Sequence, residues 1–163
     1  MEDISVSNSL LYEFVTPNEM YFAVERVAKA FKATPKVTHC DKTPVVQLVR
    51  RNYFDLSICP THSRWDEEFE EDSFVIKGVI GEVCDFHQGV LLSHDLNNKF
   101  EQKVYLTEGR KVGNPSPYCL VIERPLQLEG GVSFENIKRI IHKFARCQYD
   151  ATKALSRQAS SVH

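Results

Sequence analysis

The sequence predicts an α+β fold: a single domain, residues 1–163, in which an antiparallel sheet of about five to seven strands is packed by an N-terminal helix and a long C-terminal helix. Three observations carry this. Thr16-Pro17-Asn18-Glu19 is a helix start; the chain between residues 45 and 123 is cut into short β-branched and aromatic runs; and from Phe134 apolar residues recur by alternating steps of three and four. At 163 residues, 42% hydrophobic and 26% charged, the chain has the length and composition of one globular core. Neither an internal repeat nor a linker interrupts it.

Leu10 to Val15 alternates with Leu10, Tyr12 and Phe14 on one side and predicts a first strand. Thr16 as N-cap, Pro17 at the first helical position and Glu19 two residues on then predict a capping box with a pre-set φ, and Met20, Val24, Val27, Ala28 and Phe31 continue at helical spacing. Thr34-Pro35 ends that helix, giving about 17–33. Val45 to Arg50 and Tyr53 to Cys59 read as one strand with an irregularity near Arg51-Asn52, or as a tight hairpin. Phe74 to Cys84 is a strand in which Gly78 and Gly81 mark a bulge or a close approach of backbone. Val90 to Asp95 and Phe100 to Thr107 form a hairpin around Asn97-Asn98, and Tyr118 to Glu123 is a last short strand, left through Pro125. After Gly130-Gly131, with Ser133 as N-cap, a helix of about 133–155 presents Phe134, Ile137, Ile141, Phe144, Gln148, Ala151 and Leu155 on one stripe. That stripe suits the domain's own sheet better than a seam with a second copy, and the tail from Ser156 is expected to fray.

A formal charge of −2 provides no overall cationic field of the kind that drives non-specific nucleic-acid binding. Charge is nevertheless polarised: residues 66–72 hold six acids, and residues 133–163 hold six Lys and Arg against Glu135 and Asp150. No apolar run approaches the ~18–20 residues of a membrane span and the N-terminus is acidic, so an intracellular chain, cytoplasmic or nuclear, is expected. Five widely spaced cysteines read as thiols or ligands and not as a disulfide framework.

The sharpest chemical motif is a pair of Cys-x-x-His steps, Cys59 with His62 and Cys84 with His87. Each supplies two ligands at a turn closing a predicted strand, and the four would complete a structural Cys₂His₂ zinc site if both turns met at one sheet edge. The alternative is two buried thiols, two surface histidines and no cofactor. Ser93-His94-Asp95 has the residue types of a hydrolytic triad but not its geometry, because neighbours on a strand face opposite ways. No phosphate-cradling Gly-rich run occurs, so an enzyme is not expected.

The expectation is therefore a non-enzymatic binding or adaptor protein acting through protein contacts, with Arg64, Trp65 and Phe69 in the acidic loop as an interaction surface, since Trp is enriched at binding hot spots. Two alternatives stand beside it. Lys138, Arg139, His142, Lys143 and Arg146 give the last helix a basic face able to contact RNA phosphates. The order strand, helix, several antiparallel strands, long C-terminal helix is similar to the helix-grip architecture, which implies an apolar lipid or small-ligand cavity under the last helix; the likeness is one of element order and carries no residues. A homo-oligomer through the C-terminal helix is a further partner expectation.

Overall fold

A computed structural model of the chain describes residues 10–50, 54–62, 64–109 and 117–160. It has the α+β single-domain architecture expected. The elements are β1 (Leu11–Tyr12), α1 (Pro17–Phe31), β2 (Thr34–Cys40), β3 (Thr43–Arg50), β4 (Phe54–Pro60), β5 (Ser73–Val83), α2 (Phe86–Lys99), β6 (Lys103–Glu108), β7 (Tyr118–Gln127), β8 (Val132–Ser133) and α3 (Phe134–Ser160). Six strands make one sheet in the order β2-β3-β4-β5-β7-β6, antiparallel throughout, and β1 pairs with β8 alongside.

Residues directly opposite across an antiparallel ladder share a face. The register therefore puts Val46, Leu48, Leu56, Ile58, Phe74, Ile76, Ile122, Leu126 and Val104 on one face, and all are buried. The helices cover that face: α1 lies on β2 and β3, α3 on β4 and β5, and α2 on β6 and β7. Ile137, Ile141, Phe144, Ala145 and Ala151 of α3 are all in this core, so the heptad-like stripe packs inside its own domain.

The capping box of α1 forms as read: Thr16 Oγ1 accepts from Glu19 N at 3.3 Å and Thr16 N donates to Glu19 Oε2 at 2.9 Å. Ser133 Oγ accepts from Asn136 N at 3.2 Å at the start of α3. Both flagged glycines matter. Between Val79 and Gly81 the β5–β7 register slips by one residue, a β-bulge, and α3 presses on the sheet at these glycines. A Cβ at Gly78 would come within 2.5 Å of Gln148 Oε1, and one at Gly81 would overlap the Leu155 side chain.

Four expectations need correction. The hairpin proposed for Val90 to Thr107 is instead α2 followed by β6. Asp85 Oδ2 caps that helix by accepting from Gln88 N at 2.9 Å, and Gly89, Leu92 and Leu96 face the sheet at helical spacing. Asn97 is not a turn residue; its carboxamide accepts from Val104 N at 2.7 Å and donates to Val104 O at 2.6 Å, acting like one more strand on β6. Second, Pro35 reads as a terminator, yet Thr34–Cys40 is β2, since an edge strand tolerates proline. The β2–β3 connection is a two-residue turn at Asp41 and Lys42, with φ of 48° and 69° as a type I′ turn requires. Third, β1 covers only Leu11–Tyr12 of the predicted first strand, and β7 runs on through Pro125, because its pairing with β6 ends at Glu123. Fourth, α3 does not fray at Ser156 but continues to Ser160, with Leu155 docked on Gly81. The connection at Arg51-Asn52 lies outside the described residues.

Candidate functional site

The two Cys-x-x-His pairs do not meet. Cys59 pairs with Val75 near the start of β5, whereas Cys84 follows Val83 at its far end, a separation of roughly 25 Å along the strand. His87 lies in the first turn of α2, exposed. The four residues of the expected Cys₂His₂ arrangement thus stand as two separate pairs at opposite ends of β5. All five cysteines are free thiols. Burial pushes the Cys59 thiol up, and it pushes that of Cys147 to about 11, where Sγ donates to Gln102 Oε1 at 2.7 Å.

His62 belongs to another cluster, since its ligand atom lies within 4.8 Å of those of Glu71 and Asp72. Glu71 is 3% exposed and its carboxylate accepts from His62 N, His62 Nδ1, Asp72 N and Ser73 N at 2.9–3.1 Å. Its oxygens are therefore occupied by N–H donors, which makes the cluster a loop clasp more than a cation site. Burial disfavours the ionised form of Glu71, but the bonds from His62, Ser73 and Asp72 outweigh it and hold the carboxyl below its ordinary value of 4.5. The same hydrogen bond and charge push His62 above its ordinary 6.5. The Glu71 contribution to stability is lost as pH falls through its lowered value, and that of His62 is lost as pH rises through its raised one. Between 4.5 and 6.5 both are present. The melting temperature lost in His62→Gln should be larger at about pH 5.5 than at about pH 9; an equal loss at both pH values would refute the clasp.

Trp65 is not a surface residue. It is 1% exposed, its Nε1–H donates to Val15 O at 2.9 Å, and its ring meets Phe74 edge-on at 5.1 Å. The loop folds back because Val15 and Glu71 exchange backbone hydrogen bonds at 3.0 and 3.1 Å. Asp66 then turns the chain by accepting from Glu68 N and Phe69 N, which holds its carboxyl low. Arg64 and Phe69 do reach the surface, where the guanidinium lies 3.3 Å over the ring centroid, with Asp66 and Glu68 as ion-pair partners.

Two surfaces among the described residues combine charged and apolar groups in a way that suits binding. The first is the face of the sheet that bears no helix. By register, Lys36, Gln47, Ser57, Lys77, Glu123 and Lys103 stand in one row across all six strands. Gln47 Nε2 donates to Ser57 Oγ at 3.0 Å and Lys103 Nζ lies 3.4 Å from Glu123 Oε1. Burial and a hydrogen bond to Glu123 push the Tyr105 hydroxyl up to about 12, so it remains a donor. Apolar side chains flank the row: buried Val45 and half-buried Val75 on one side, Val79, buried Val121 and half-buried Tyr105 on the other. Val79 is 43% exposed.

The second surface is an open cleft of about 420 Å³ between α1 and α3, lined by Arg26, Lys29 and Ala30 from one helix and Glu135, Lys138, Arg139 and His142 from the other, with Val27 at its base. Of the five residues proposed for a basic face, Lys138, Arg139 and His142 line it. Lys143 and Arg146 do not, and Arg146 has Asp150 at 3.8 Å. Arg26 and Lys29, distant in sequence, join them because the fold brings α1 alongside α3. Beneath α3 the Gln148 and Leu155 contacts bring the helix directly onto the sheet, unlike the open cavity that helix-grip order implies. On α2, Ser93 donates to Val90 O at 2.8 Å and is not aligned with His94.

The fold and these surfaces define an α+β domain with one helix-covered and one open sheet face. No protein-family model and no curated protein matches the chain. Among solved structures it is similar to YbjN from E. coli, a proposed transcription regulator, with a TM-score of 0.56 at 15% identity over 83% of this chain and 90% of that one. The likeness is one of fold. Among the described residues no helix is long and apolar enough to cross a membrane.

Proposed function

We propose that the chain is a non-enzymatic adaptor that binds a protein partner through the helix-free face of its sheet. The observation that carries this is the pattern on that face, a polar row across six strands flanked by valines. Exposed Val79 and half-buried Val75 stand beside hydrogen-bonded and charged side chains there, and a protein interface mixes apolar contacts with fixed polar groups in this way. Lys77 is exposed and has no ion pair among the described residues, while its neighbour Glu123 is held by Lys103. The partner chemistry this fits is an apolar surface carrying an acidic side chain opposite Lys77. The fold shared with a proposed transcription regulator agrees with a binding role.

Val79→Asp and Lys77→Glu each change an exposed side chain and should leave the melting temperature within about 2 °C. Proteins captured by the wild-type chain should be lost from both variants but retained by Arg64→Ala, on a different surface. Should both variants retain every captured protein, the open face is not the contact surface.

A further inference from the structure

We propose that the α1–α3 cleft is a binding site for a compact phosphate-bearing ligand. It lies on the helical layer, away from the open sheet face, and does not depend on the adaptor reading. Arg26, Lys29 and Ala30 follow the three-four spacing of one helix face, and Glu135, Lys138, Arg139 and His142 that of another, so packing α1 on α3 brings two ordinary stripes to the two sides of one open cleft. Four Lys and Arg face one Glu there, in a chain whose net charge is −2. The local surplus is thus not a consequence of composition.

Among the described residues, two of the five charges pair with each other and three do not. Glu135 holds Lys138 Nζ at 2.6 Å, which fixes that ammonium at the wall. Arg26, Lys29 and Arg139 have no ion pair among the described residues, so three cations share the cleft with only Glu135 to offset them. The imidazole of His142 is kept in place by the Phe31 ring, with centroids 5.0 Å apart. Guanidinium forks match phosphate oxygens in a bidentate way, and several cations on one site suit a group that carries more than one negative charge. Val27 and Ala30 add a small apolar patch beside the cations.

Compactness follows from which cations take part. A nucleic-acid backbone would be tracked by a stripe continuing along α3 through Lys143 and Arg146. Those two are outside the cleft, and Arg146 is engaged by Asp150, while the cations that do converge come from two helices.

Calorimetric titration of the full chain at low salt with inorganic phosphate, AMP and a single-stranded oligonucleotide tests this. AMP should bind saturably at a 1:1 ratio, weaken about tenfold or more in Arg139→Glu and in Arg26→Glu, and tighten several-fold in Glu135→Gln, which removes the one opposing charge. Arg146→Glu should leave AMP binding unchanged. The gain in Glu135→Gln is a readout that a folding defect would not produce, and Arg139→Gln repeats the loss without introducing a new charge. Absence of saturable binding by both phosphate and AMP overturns the proposal. So does equal weakening by Arg146→Glu, or an oligonucleotide that binds through Lys143 and Arg146 where AMP does not.

Discussion

Gly78→Ala should lower stability by about 3 kcal/mol or more, the sum of overpacking and of hydrogen bonds given up in the core. Gln148 is fully buried, and its carboxamide occupies the space a Cβ at residue 78 would need. Its Nε2 donates to Asp55 O at 2.7 Å and to Val79 O at 3.2 Å, tying α3 to β4 and to the bulged part of β5. Moving the amide aside strands both carbonyls, and leaving it in place forces the helix off the sheet. What the buried amide fixes is the position of α3 over the bulge. Chemical denaturation of the double-mutant cycle checks this. In a Gln148→Ala background the same Gly78→Ala change should cost at least about 1–2 kcal/mol less, because the space is then empty. Equal costs in both backgrounds would mean that the notch is not what Gly78 provides.

What the chain reveals before folding depends on whether the relevant signal is local. Thr16, Pro17 and Glu19 announce α1 within four residues, and the spacing from Phe134 to Leu155 announces α3, because capping and helical periodicity are properties of neighbouring residues. Gly78 and Gly81 were informative for the same reason, since a bare strand position implies something close above it. α2 is obscured because Val90-Leu91-Leu92 has strand-like composition, and its cap, Asp85, is a single residue between Cys84 and Phe86; only β6 lying under Gly89 and Leu96 decides for a helix. The apparent zinc motif failed on topology. Two knuckle-like turns on adjacent strands meet only when both lie at the same end, and antiparallel pairing of β4 with β5 puts them at opposite ends. The basic cleft needed information of the same non-local kind. Lys138, Arg139 and His142 are visible as a stripe, but Arg26 and Lys29 join them only through the packing of α1 on α3.

Trp65→Ala should cost about 3–5 kcal/mol, the range for emptying a large aromatic site in a core, and should unfold a substantial fraction of the chain at physiological temperature. The indole is among the largest fully buried side chains, and its removal also leaves Val15 O without its donor at the point where the 61–72 loop is bridged to the entry of α1. Trp65→Phe should recover much of the packing against Phe74 but not the hydrogen bond, and should fall between the wild type and the alanine variant. Phe69→Ala, four residues on and exposed, should cost under about 1 kcal/mol. This ordering separates two reasons for a tryptophan in a charged loop. A hot-spot Trp would lose partner binding with stability intact; a core Trp loses stability first, and binding only as the folded fraction falls. Thermal melts of the three variants beside a capture assay normalised to folded protein distinguish them. A Trp65→Ala chain that melts with the wild type would place the indole back at the surface.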